Sequence, residues 1–458
     1  MRIHLALGVL WTSGCLAVNP YVIDVAPSIA AFTATPPCLV PGVRTTITWR
    51  WSYSTNPDQE PTCVVKDASG NTACSETTSN GCTSSLRLAS NETFTVTCKN
   101  GAGSGSATAE FYSTAVTTIA DSGAGSLRDV AIHCPGETIT FDAGLYGETI
   151  TLQSAISVAD NTTIQGPGAD LLTVSGGNMT QLLSIWGGSV AISGLTFREG
   201  FCENCSGGAI AVGSSTVDLT ISGSVFHSNK SNGNGGAIET HGALTVSDCT
   251  FVSNTALPEG GGGGGGIHNN HGEITVTNST FVSNSGSGGA AIMNDTGDAT
   301  VSNSTFVSNS GPWGAIYNWG VPAAATVTNC TFSGDGNSLA NDTNATLTIG
   351  NNIIDVISSG TFVSLGYNLI GNSTGATFAP VATDQIGVSP ALDTLGDYGG
   401  PTQTMMPSLT SPAVAAIPAT SCGVSVDQRG QPRPSSLNAN GYCDIGAVER
   451  QASDSSYP

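Results

Sequence analysis

From about residue 137 to 375 short runs alternate apolar and polar positions with a period of two, as in Leu244-Thr245-Val246-Ser247 and Ile274-Thr275-Val276-Thr277. That alternation predicts strands with one face buried. The runs also recur. Thr-Phe or Val-Phe pairs place Phe at 197, 226, 251, 281, 306 and 332, at spacings of 29, 25, 30, 25 and 26. Four units continue to Asn at the third position after Phe: Asn229, Asn254, Asn284 and Asn309. Between the Phe residues come glycine bends ahead of an aliphatic residue: Gly207-Gly208-Ala209-Ile210, Gly235-Gly236-Ala237-Ile238, Gly265-Gly266-Ile267, Gly289-Ala290-Ala291-Ile292 and Gly314-Ala315-Ile316. Short strands separated by glycine bends in a unit of this length predict a solenoid. The Leu spacing of leucine-rich repeats is missing and no helical period appears. The predicted fold class is all-β: a right-handed parallel β-helix of roughly nine to eleven turns over residues 117–375.

Stacked strands repeat every ~4.8 Å, so equivalent amides in successive turns can hydrogen-bond as a ladder. One ladder is expected through Asn229, Asn254, Asn284 and Asn309, and another through Asn278, Asn303 and Asn329 with Asp248 one unit earlier. The Phe residues should form an inner column. Cys249 and Cys330 share an equivalent position three units apart, ~14 Å at that repeat and too far for a bridge. The glycine run Gly260–Gly266 lacks the Lys of a phosphate loop and reads as an insertion.

The flanks differ. Residues 26–113 hold β-rich runs (45–49, 63–65, 93–98, 107–112) separated by turn clusters such as Asn56-Pro57-Asp58, the pattern of a small antiparallel sandwich. Trp49 or Trp51 would lie in its core. Ser126 and Asp129 have capping-box spacing, so a short helix is expected there, covering the open end of the following sheet. Residues 376–450 are expected as a C-terminal cap and 451–458 as a tail.

Charge narrows the partners. The chain has 12 Lys+Arg against 33 Asp+Glu, a net −21, and no Lys or Arg between Lys230 and Arg429. Nothing there could neutralise phosphates, so nucleic acid is excluded as an expected partner. Thirteen cysteines fit an oxidising compartment. Cys422–Cys443 and a local Cys202–Cys205 bridge are expected; connectivity among the five cysteines from Cys38 to Cys98 stays open. Residues 1–15 have the form of a signal peptide.

Several stretches resemble known families. Thr12-Ser13-Gly14-Cys15 resembles a bacterial lipobox, with Thr12 where an aliphatic residue is commoner. It implies acylation of Cys15 and, with Leu16 next, a place in the outer membrane; an ordinary secretory signal is the alternative. Residues 26–113 resemble bacterial immunoglobulin-like surface domains, which implies Cys63–Cys98 as a disulfide. The Gly-Gly-Ala-aliphatic and Phe-x-x-Asn motifs resemble polymorphic outer-membrane protein repeats. Gly366-Tyr367-Asn368-Leu369-Ile370-Gly371, residues 395–404, Asp427-Gln428-Arg429-Gly430 and residues 443–449 look like the bacterial choice-of-anchor Q domain. These resemblances imply an exported surface β-helix without one assigned activity.

Register on the Ile after each bend aligns Glu239-Thr240-His241, His268-Asn269-Asn270-His271, Met293-Asn294-Asp295 and Tyr317-Asn318-Trp319. His241, His271 and Asp295 are then expected near one another, flanked by Glu239 and Glu273. Such a cluster could hold a metal or act as acid and base on a polysaccharide. It could equally be a polar surface turn, with Thr240, Asn269, Asn294 and Asn318 laddering beneath. Exposed Trp313, Tyr317 and Trp319 could stack on sugar rings, or could instead cap or pack the glycine bend. A lyase needs a strong base, and between residues 129 and 428 only Arg198 and Lys230 are available. Calcium could supply positive charge, but no clustered Asp set calls for it, so no cofactor is expected. The expected function is non-catalytic adhesion or glycan binding at the bacterial surface, as a lipoprotein or secreted. The alternatives are a polysaccharide-cleaving enzyme using Glu239 with Asp295, of pectate lyase-like or polygalacturonase-like fold, and a structural envelope component.

Overall fold

The computed structural model describes residues 25–55, 59–257, 263–436 and 441–456. The signal segment with Cys15, the turn Asn56-Pro57-Asp58 and Gly260–Gly262 of the glycine run lie outside them. The chain divides into two compact units, one built mostly from residues before Tyr112 and the other from the rest.

The first unit pairs Ser28–Thr35, Thr45–Ser54 and Gly81–Leu86 in one antiparallel sheet, and Thr62–Asp67, Thr72–Thr77, Glu92–Asn100 and Gly103–Ser113 in a second. Alternate residues Ile47, Trp49 and Trp51 face inward and are buried, as period-two patterning requires. Trp49 packs on Phe94 and Phe111, with centroids 5.0 and 5.3 Å away, and its indole N–H donates to Ser84. Cys63 and Cys98 are bonded, but they are direct partners on adjacent strands of one sheet. The bridge between the sheets is Cys74–Cys82.

The second unit is a parallel β-solenoid of about nine turns, consistent with a right-handed β-helix. One representative turn runs Ala243–Ser247, Thr250–Val252, Thr255–Ala256, Ile267–Asn270. These strands belong to a first face, a second face, a short lateral sheet and a third face, each pairing in parallel with the equivalent strand of a neighbouring turn. Leu244, Val246, Phe251 and Ile267 point inward and are buried. The six Phe rings stack as expected, centroids 4.6–5.2 Å apart. Gly236 opens the third face because a Cβ there would overlap the backbone of Gly265 and Thr255; Gly265 repeats the constraint one turn later.

The ladder from Asn229 to Asn309 exists. Each Nδ2 donates to the next Oδ1 at 2.9 Å and to the carbonyl of a Phe in the preceding turn. It ends on Asp335, whose Oδ1 accepts both the amide N–H and the Nδ2 of Asn309, at 2.8 and 3.0 Å. Asp335 is buried, its Oδ2 has no partner, and desolvation pushes its carboxyl up to about 8.

The other expected ladder is corrected. Asp248, Asn278, Asn303 and Asn329 have positive φ (47–54°), and turn the chain from the first face to the second. Asn tolerates that left-handed geometry better than most residues. Asp248 does bond to Asn278. Asn303 and Asn329, however, donate to the carbonyls of Val426 and Cys422.

Those carbonyls belong to residues 376–450, which run back along the flank of the solenoid. Gln428 bridges Thr280, Thr305 and Thr402, and Ala447 and Gly446 bond to Thr331 and Asn351. Buried Arg429 pairs with Asp427 and Asp454, the latter in the expected tail, and buried Arg433 pairs with Glu449. Cys422–Cys443 closes this strap. At the other end Leu127–His133 is helical, capped by Ser126, and buries Leu127, Val130 and Ala131 in the solenoid core. Cys134 there is bonded to Cys38, which accounts for the odd cysteine of the first group. Cys249 and Cys330 are free and buried.

Candidate functional site

On the third face Ile238–Thr240, Ile267–Asn270, Ile292–Asp295 and Ile316–Trp319 stack in parallel register. Alternation sends each Ile inward and the next residue outward, giving an outer column Glu239, His268, Met293, Tyr317. The following position turns inward again. There Asn269, Asn294, Asn318 and Asn341 form a buried ladder, Nδ2 to Oδ1 at 2.7, 2.7 and 2.9 Å, and each amide also holds a carbonyl at the corner. One residue further on, Asn270, Asp295 and Trp319 make a second outer column.

The lateral loops rise beside these columns and leave a cavity of about 430 Å³. Its lining includes His268, Asp295, Met293, Tyr317 and Trp319 from the strands, with Ser287, Gly288 and Trp313 from the loops. Tyr317 and Trp313 stack with centroids 5.2 Å apart. Trp313 and Trp319 are exposed, but Tyr317 is buried, packing on Met293 and Ala340. It is therefore a floor residue, not the exposed aromatic expected from the sequence.

The two groups of sequence candidates meet here only in part. Asp295 lines the cavity; Glu239, His241 and His271 do not. Glu239 sits one turn before His268, bonded to Asn270 and Ser206, with its Oε1 3.6 Å from His241 Nε2. His271 is exposed and its ring bonds to Asn270. Glu273 starts the next first-face strand, exposed and opposite Asp298, so it does not flank the cluster. Arg198 and Lys230 do not line the cavity either.

The residue missing from the sequence candidates is His268. Its ring is buried between two carboxylates, Nδ1 4.0 Å from Glu239 and Nε2 4.0 Å from Asp295, and Nδ1 lacks a hydrogen-bond partner. Desolvation, with His241 and His271 nearby, lowers it to about 3, so the ring is neutral at pH 7. Burial likewise raises Glu239 and Asp295 against the opposing pull of His241 and His271 respectively. Among the described residues no group of three or more His, Cys, Asp or Glu is arranged to hold a metal ion. The signal for His268 was present: it stands in register with Glu239 at an outward position.

Fold and site together define a parallel β-helix carrying an acidic, aromatic-walled cavity on one face. A family model described as right handed beta helix region matches residues 181–374, a segment that contains every residue of that cavity. No curated protein and no solved structure matches the chain significantly.

Proposed function

We propose that the chain is an exported cell-surface protein whose β-helix binds an extracellular glycan without cleaving it. The observation carrying this is the cavity beside Asp295, where Trp313, Tyr317 and Trp319 supply aromatic surface around a few convergent polar groups. Five disulfides support folding in an oxidising compartment. None of the described helices is long and apolar enough to cross a membrane, and attachment to the outer membrane would rest on acylated Cys15. In this proposal residues 26–113 are an immunoglobulin-like spacer and the C-terminal strap is of the choice-of-anchor Q type.

One observation favours a hydrolytic reading: burial raises both Glu239 and Asp295, as an acid catalyst requires. Against it, Glu239 is outside the cavity lining, and His268 occupies the position between the two carboxylates. The test is calorimetric binding of a panel of neutral, acidic and amino-sugar oligosaccharides, run beside an assay for new reducing ends. Trp319→Ala should weaken the bound glycan ~tenfold or more without any turnover in the wild type. Turnover lost in Glu239→Gln would replace binding with hydrolysis, and a panel with no ligand would refute both.

A further inference from the structure

We infer that the cavity selects glycans carrying a free, protonated amino group, and this rests on the glycan reading above. An aromatic-walled site can accept a neutral sugar face, an anionic sugar or a cationic one, and the charges around it decide which. Asp295 is the ionisable acid on the wall, and Glu239 lies directly behind His268. Asp342 adds a further negative charge near Tyr317. No lining residue is Lys or Arg, and neither occurs anywhere from residue 231 to 428. A uronate or sulfated sugar would therefore bring its charge into a negative field with no cation to receive it.

A buried group points into the same space. His268 is 1% exposed and lines the cavity; its unpartnered Nδ1 faces Glu239 behind it, and its Nε2 lies 4.0 Å from Asp295 on the cavity wall. As a neutral imidazole carrying its proton on Nδ1, it can accept at Nε2 a hydrogen bond from a ligand N–H, which an imidazolium cannot do. An ammonium beside Nε2 would meet the Asp295 carboxylate, and the exposed indole rings of Trp313 and Trp319 in the same lining suit the same charge. The ligand class that joins a stackable ring to a compact cation is a deacetylated hexosamine unit. Acetylation would remove the charge and add bulk at the recognised nitrogen.

The experiment titrates the purified chain with a glucosamine tetrasaccharide, its fully N-acetylated counterpart and a tetragalacturonate, at near-neutral pH and low salt. The free-amine oligomer should bind at least ~tenfold tighter than the acetylated one, its advantage should shrink with added salt, and tetragalacturonate should bind weakest. Asp295→Asn, nearly isosteric, should bring the amine and acetylated oligomers to within about twofold of each other. Equal or reversed preference in the wild-type chain overturns this inference and leaves glycan binding standing. So does a preference that survives Asp295→Asn unchanged. Absence of binding by all three oligomers overturns the glycan reading as well.

Discussion

Asp335→Asn should stabilise the solenoid, and by more as the pH rises. Asp335 ends the ladder by accepting the backbone N–H and Nδ2 of Asn309 on Oδ1, while Oδ2 is buried without a partner and Asp355 adds repulsion. Its carboxyl is displaced from the ordinary 3.8 to about 8. A raised acid binds its proton more tightly in the fold than in the unfolded chain. Its favourable contribution is therefore complete below 3.8 and is lost as pH climbs through about 8. At 1.36 kcal/mol per pKa unit the loss has a ceiling of ~6 kcal/mol. Spread over a unit of some 340 residues, that is at most ~8 °C in melting temperature. Asparagine keeps the Oδ1 acceptor and does not titrate. The assay is calorimetric melting of wild type and variant between pH 4 and 9.5, following the solenoid transition. The difference in melting temperature should be near zero at the acid end, grow in favour of the variant, and level off above pH 8. A difference that is flat with pH, or a variant less stable at pH 9, would refute the reasoning.

Asn284→Ala removes donors to Phe251 and Asn309 and the Oδ1 that receives Asn254; the urea midpoint should fall by the equivalent of ~3–5 kcal/mol, and a cost under ~1 kcal/mol would mean the ladder contributes little. Burial pushes the Cys249 and Cys330 thiols up to about 12, so iodoacetamide at pH 8 should leave both unmodified until urea unfolds the chain. Native-state adducts on either, seen by mass spectrometry, would contradict that burial.

The parts of the fold legible in the sequence are those that put one residue type in one environment in every turn. The Phe column and the Asn229–Asn309 ladder met that condition and could be read directly. Asn278, Asn303 and Asn329 recur just as regularly, but Asn serves two unrelated purposes, amide ladder and left-handed corner. The equivalent positions one and two units earlier than Asp248, Gly223 and Gly194, also have positive φ, and glycine there was the available clue. The site was half legible. Register brought Asp295 and the aromatic residues to one face, yet strand alternation also puts Glu239 and His268 in the outer column while the intervening Asn residues turn in. The cavity itself depends on lateral loops whose lengths differ from turn to turn. Contacts such as Gln428 with Thr280 and Thr305 follow no repeat, and so leave no trace in periodicity.

The strap also changes the order in which the molecule can open. In a stacked array each turn is bonded to its two neighbours, so the terminal turn is ordinarily the first to leave. Here one segment is bonded to Asn278, Thr280, Thr305, Thr331 and Asn351 together. The last turns cannot peel away while those bonds hold, because the segment that follows them in the chain is fastened several turns back. The C-terminal half of the solenoid is thereby bound into one cooperative block. The turns before it, up to about Asn254, keep the graded independence of a simple stack.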